Sequence, residues 1–247
     1  MRDRLKLPPD YPYAYETHLH TSEGSKCAAN DGREMAYSCK EAGYTGIIVT
    51  NHFIGGNTAV DVSLPWRDWV EEFCLGYENA KEEGDRIGLQ VFFGWEAGFN
   101  GTESLVYGLD KEWLIAHPEI RNCTIAEQYR MVHEGGGMVI HPHPFREEWY
   151  IPEIVLYPEY CDGVETVNAT HESIRSKAHN NPEFDVRALE YAKKHNMPQT
   201  AGSDIHSVNL LYGGMAFGRR LTDIKDYIKA VQGREKCILL TGNESVD

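Results

Sequence analysis

The stretch "ETHLHTSEGS", Glu16 to Ser25, places two histidines one residue apart at the end of a short β-like run. In a strand, residues i and i+2 point to the same face, and imidazole is a good metal ligand. His18 and His20 therefore read as half of a metal site. With 11 histidines in 247 residues, chance supplies roughly half a pair at this spacing, so the motif decides nothing alone. What surrounds it does. Short apolar runs alternate with amphipathic stretches, and five runs end in metal-capable residues. "AYETHLH" (14–20) ends in His18 and His20, "GIIVTNH" (46–52) in His52, and "LQVFFGWE" (89–96) in Glu96. "GGGMVIHPHP" (135–144) holds a strand ending at His141, and "PQTAGSDIH" (198–206) brings Asp204 and His206.

Alternating strands and helices argue for a parallel sheet, closed or open. Donors at the carboxyl ends of many successive strands converge on one point only if the strands form a ring. The site and a barrel thus stand or fall together. Between the strands, Asp31 and Glu34 are spaced as a capping box for a helix to Gly43. Residues 65–84 carry Trp66, Trp69, Val70, Phe73, Tyr77 and Ala80 on one helical stripe, with Pro65 in the first turn. Thr124 and Glu127 open another helix, Asn181-Pro182 a further one to about Asn196, and Thr222 a last one before the strand "KCILLT". "SLVYGLD" (104–110) and "DGVETVN" (162–168) read as two more strands.

The donors are imidazoles and carboxylates with no thiolate, which suits zinc, manganese or iron(II). Seven donors (His18, His20, His52, Glu96, His141, Asp204 and His206) exceed the three or four that one ion takes from a protein, so two or three divalent ions are expected. The six cysteines are scattered without a CxxC pair, which argues against zinc fingers and disulfides and points to reduced, cytoplasmic surroundings. No apolar run approaches the roughly 20 residues that span a membrane, and "MRDRLKLPPDYPYAYE" has no apolar block of a signal peptide. A net charge of −14 without a basic stripe argues against long duplex nucleic acid. Phosphate can still bind where cations supply local positive charge.

"THLHT", "GIIVTNH", "GWEAGF", "MVIHPHP" and "AGSDIH" together resemble the ordered motifs of the PHP (polymerase and histidinol phosphatase) family, over about residues 14–206. The resemblance implies a distorted (β/α)7, TIM-like barrel, one domain over residues 1–247. It also implies two or three divalent metals and hydrolysis of a phosphomonoester or phosphodiester of a small phosphorylated substrate or nucleotide end. By position it carries metal ligation to the same seven residues. The chain departs from the family in three places. Asn51 stands where an aspartate is common. Only Glu23 offers to replace a further ligand soon after the histidine pair. Glu103 and Ser104 stand near an expected histidine. His206 or His143 is the expected proton donor to the leaving oxygen, and Arg146 a phosphate grip. His171 reads as a loop residue. Residues 53–64 are long enough to cover the mouth, with Gly55-Gly56 giving mobility. Two other classes fit less well. An amidohydrolase-like barrel wants a bridging lysine on a middle strand, and a non-catalytic metal-bound module would belong to a larger assembly.

Overall fold

In the computed structural model, which describes residues 3–244, nine strands form one sheet. They are β1 (Tyr13–Leu19), β2 (Gly46–Val49), β3 (Gln90–Phe99), β4 (Thr102–Tyr107), β5 (Met138–His141), β6 (Gly163–Asn168), β7 (Gln199–Gly202), β8 (Gly213–Phe217) and β9 (Cys237–Thr241). Their order is β7-β6-β5-β4-β3-β2-β1-β8-β9. β1, β2 and β3 pair parallel, as do β5, β6 and β7, whereas β4, β8 and β9 pair antiparallel to their neighbours. The two ends of the parallel set meet. His20 N–H donates to Ile205 O at 2.9 Å, Ile205 N–H to His18 O at 3.2 Å, and Thr17 Oγ1 to Ala201 O at 2.6 Å. The sheet is thus a nearly closed, distorted barrel, as the resemblance implied.

Seven helices accompany it: α1 (Gly32–Glu41), α2 (Trp66–Ile87), α3 (Lys111–Ala116), α4 (Ile125–Glu134), α5 (Ala169–Glu172), α6 (Glu183–Lys194) and α7 (Ile224–Gln232). Both capping boxes form, Asp31 with Glu34 and Thr124 with Glu127. α2 starts after Pro65 and stops at Gly88, whose φ of +74° an L side chain resists. Its stripe buries Trp69, Val70, Phe73 and Ala80 against the sheet, with Trp66 and Tyr77 partly covered. The sequence carried no clear sign of α3, and β8 lies in the unassigned "GGMAFGRR".

Strand parity decides which residues face the barrel interior. Ile48, Leu105, Tyr107, Met138, Ile140 and Ala201 pack together inside, closed at one end by α7 through Tyr227, Ile228 and Val231. Val106 and Val139 face outward, toward α2, α4 and α6. In β1, Ala14 and Leu19 both face outward although five residues apart. This is possible because pairing with β2 slips between Glu16 and Leu19. The bulge turns His18, rather than Leu19, to the inside.

Candidate metal centre

The interior face carries the donors to one end of the barrel. His18 Nε2 lies 3.4 Å from Glu96 Oε1 and 3.5 Å from Asp204 Oδ1. His20 Nε2 lies 3.2 Å from Asp204 Oδ1 and 3.5 Å from Glu96 Oε2. His52 Nδ1 lies 2.8 Å from Glu96 Oε2. Residues 18 and 204 meet because β1 and β7 close the ring. Four groups, each with donor atoms within 4.8 Å of one another, share these residues: His18, His20 and Glu96; His18, His143 and Asp204; His52, Glu96 and Glu103; and His20, His52 and His206.

Three of the imidazoles are aimed by their other nitrogen. His18 Nδ1 lies 3.0 Å from Glu165 Oε1, His20 Nδ1 3.1 Å from Ser25 Oγ, and His206 Nδ1 2.8 Å from the backbone carbonyl oxygen of Asp204. Fixing one nitrogen leaves the other for an ion. His18 Nε2, His20 Nε2, His52 Nδ1 and Glu96 Oε2 are buried without a well-formed hydrogen bond, the 2.8 Å approach of His52 Nδ1 to Glu96 Oε2 being too poorly aligned to make one. Buried polar atoms are rarely left so. Four of them in one cluster of imidazole and carboxylate donors fit divalent cations. Burial would raise the Glu96 carboxyl, but His18, His52 and a bond from His143 outweigh it and hold it well below the ordinary value. Asp204 likewise stays low, its burial opposed chiefly by Arg146 and His18. Burial pushes His20 well below its ordinary value, helped by His206 and His52. The carboxylates are therefore charged and His20 neutral, the states in which they bind metal.

His141 falls elsewhere, and the geometry corrects its assignment as a ligand. It shares the outward parity of Val139. Its Nε2 lies 2.9 Å from Thr102 Oγ1 and its ring stands edge-on to Tyr191 of α6. Burial and the neighbouring His143 push it down to about 3. His143 takes the position instead. The strand ends at His141, and a φ of +27° at His143 turns that ring inward, 3.1 Å from Glu96 Oε1. Glu103 also joins. Asn100 and Gly101, both at positive φ, make a tight turn that sends β4 back beside β3. The amino end of β4, not its carboxyl end, therefore reaches the site.

Asn51 is a strut. Its Oδ1 accepts from Thr21 N–H at 2.7 Å and Ser25 Oγ at 3.1 Å. Glu23 does not replace a ligand: its Oε1 accepts from Gly32 N–H and Asn79 Nδ2, between α1 and α2. His171 is no surface loop residue but fully buried in α5. Gly55 has a packing reason rather than mobility: a Cβ there would meet Gly98 O at 2.4 Å.

Above the cluster opens a cavity of about 1040 Å³. Glu96, Glu103, His143, Arg146, Asp204 and His206 line its floor, and Trp149, Tyr150, Arg175 and Lys177 its rim. Arg146 is buried. Its Nη1 donates to Asp204 Oδ2 at 2.6 Å, Nε to His171 Nε2 and Nη2 to Thr170 Oγ1, both at 3.0 Å. Much of its donor fork is thus spent on the protein. Among the described residues, no helix is long and apolar enough to cross a membrane.

No protein-family model and no curated protein sequence matches the chain. Solved structures do. One is a two-domain protein from Bacteroides vulgatus containing a predicted PHP-like metal-dependent phosphoesterase, at TM-score 0.66 and 13% identity over 97% of this chain and 69% of that one. Another is PsfC from Pseudomonas syringae, at 0.56 and 18% over 94% and 90%. A third is an amidohydrolase from Chromobacterium violaceum, solved with sulfate and no metal, at 0.51 and 11% over 78% and 88%. At such identities the likeness is one of architecture: the chain has the distorted, nearly closed barrel fold of PHP-like metal-dependent phosphoesterases.

Proposed function

We propose that the chain is a hydrolase of phosphoester bonds that uses two or three divalent ions, zinc, manganese or iron, on a small phosphorylated substrate or a nucleotide end. The observation that carries this is the set of four buried donor atoms without partners beneath an open cavity. His18, His20, Glu96 and Asp204 would hold the inner ions, with His143, His52, Glu103 and His206 around them. Bound ions would supply Lewis acidity, activating a water and offsetting charge on the phosphoryl oxygens.

The protein's own residues do the rest. Glu165 and Ser25 orient the two imidazoles of the histidine pair, and Arg146 fixes Asp204. Lys177, on the rim, offers positive charge to an incoming anion in an otherwise acidic protein. His143 and His206 both sit among the ion donors, and a ring nitrogen bound to an ion cannot deliver a proton. We therefore assign neither as the general acid, and the leaving oxygen takes its proton from solvent. Without a protein acid, turnover falls steeply as the leaving group becomes more basic.

None of the nine strands carries a lysine, which weighs against an amidohydrolase built around a bridging lysine on a middle strand. A panel of phosphomonoesters, phosphodiesters and amides with added manganese tests the assignment, alongside the metal content of wild type and a His18→Ala, His20→Ala double variant. Phosphoester turnover lost together with metal in the double variant is expected. Turnover of amides alone would move the protein to the other class. Bound metal without any turnover would make it a non-catalytic module.

A further inference from the structure

We infer that the substrate carries a second anionic group, remote from the scissile phosphoester, and that Lys177 at the cavity rim receives it. The inference rests on the phosphoesterase reading above and narrows its substrate class.

Charge is sorted within the cavity. The chain as a whole is acidic, with 38 aspartates and glutamates against 24 lysines and arginines. The carboxylates that line the cavity are Glu96, Glu103 and Asp204, and all three belong to the groups that could hold ions. Outside those groups the lysines, arginines and carboxylates of the lining are Arg146, Arg175 and Lys177, every one a cation. A mouth left positive in a protein of net charge −14 draws in anions.

The three cations are not equivalent. Arg146 is buried and bonded to Asp204, His171 and Thr170. Arg175 braces the rim. Its Nη1 donates to Gly242 O at 3.0 Å, its guanidinium lies 5.0 Å from the Tyr212 ring centre, and its Nη2 stands 3.7 Å from Asp3 Oδ2. Lys177 is exposed and has no hydrogen bond or ion pair among the described residues. The scissile phosphate does not need it, because bound ions on the floor would offset that charge. An unpaired ammonium at the mouth is surplus to the reaction and suited to a second anion.

The cavity has room for such a molecule. Its volume of about 1040 Å³ stands at the top of the range for ligand pockets, roughly 300–1,000 Å³, and exceeds what a phosphoryl group on a short chain would fill. Trp149 and Tyr150 line it together with Lys177. Their segment is tied to that of Lys177 by His179 Nδ1, 2.5 Å from Glu148 Oε1. A compound that runs from the floor past these rings, with a negative charge at its far end, meets the ions, the aromatic rim and the ammonium at once.

The test uses the manganese-loaded protein and three biphenyl-4-yl phosphates that differ in the group on the far ring: carboxamide, carboxylate or phosphonate. Wild type is expected to prefer an anionic form to the carboxamide by about fivefold in KM, the scale of one exposed ion pair. The preference should shrink as salt is added. Whichever anion gains more shows whether the second group is carboxylate-like or phosphate-like. Lys177→Met should abolish the preference, Lys177→Arg keep it and Lys177→Glu reverse it. The corresponding methylphosphonates, which cannot be hydrolysed, are titrated calorimetrically so that binding is read apart from turnover. An anion preference in binding that depends on Lys177, without turnover of any phosphate, would remove the hydrolase reading and keep the subsite. Equal affinity of wild type for charged and neutral forms, or a preference that survives in Lys177→Met, would overturn the inference and leave phosphoester hydrolysis standing.

Discussion

Arg146 holds Asp204 from behind: Nη1 donates to Oδ2 at 2.6 Å, with both side chains 5% exposed. The bond is one link of a buried ring. Arg146 Nε donates to His171, whose Nδ1 lies 2.6 Å from Asp185 Oδ1. Asp185 Oδ2 accepts from Asn168 N–H, Asn168 Nδ2 donates to Glu165, and Glu165 faces His18. His18 Nε2 closes the ring 3.5 Å from Asp204 Oδ1. Two donors from the neighbouring segments that close the barrel are thereby oriented through one network. Arg146→Met should weaken ion binding at Asp204 by about tenfold or more. In metal-free protein it should also cost about 3 kcal/mol, because Asp204 is left buried and unpaired. Arg146→Lys should recover part of the charge effect but not the bond to His171. Calorimetric metal titration and urea midpoints measure both. Unchanged affinity in Arg146→Met would show that Asp204 needs no such support.

Glu16 predicts a pH dependence of stability. Burial raises its carboxyl from 4.5 to about 7, against hydrogen bonds from Ser203 and from the His18 N–H that lower it. The folded state thus favours the neutral acid. Its contribution is complete below about 4.5 and is lost as pH rises through about 7. Glu16→Gln keeps the acceptor for Ser203 N–H and His18 N–H and has nothing to ionise. The variant should gain on wild type as pH rises from 5 to 8, by on the order of 3 kcal/mol. Parallel stability curves for the two proteins would refute this.

Trp149 is 92% exposed on the cavity rim, edge-on to Tyr150 at 5.6 Å between centroids. A bare indole beside the proposed phosphoester site offers a flat face to a planar leaving group. Trp149→Ala should raise KM about tenfold for aryl or nucleoside phosphates, the scale of one base–aromatic stack. kcat should stay level, and alkyl phosphates should not notice the change. Equal effects on aryl and alkyl substrates would argue against stacking.

Gly202, at the end of β7, leaves room for His18. A Cβ there would meet His18 Cβ at 2.5 Å and Glu165 Oε1 at 2.6 Å. Gly202→Ala should cost about 1–3 kcal/mol from overpacking and displace His18 from Glu165. Metal content should fall even where the variant still folds. Full metal occupancy with unchanged stability would mean that β1 and β7 can separate freely.

Residue order and type already determined a good deal. Apolar runs ending in His52, Glu96 and Asp204 announced parallel strands with donors at one end. Capping boxes at Asp31 and Thr124 located helix starts, because a cap is a local bond between residues three apart. Tertiary structure decided what local pattern cannot. His141 and His143 look alike in "MVIHPHP", yet parity sends the first outward and a positive φ brings the second inward. Glu103 arrives through an antiparallel return whose direction depends on which strand it pairs with. Arg146 turned out to be buried, a fact of long-range packing. Only closure of the barrel, which draws the segments after β1, β2 and β7 together, sets the His52 and His206 rings on either side of His20.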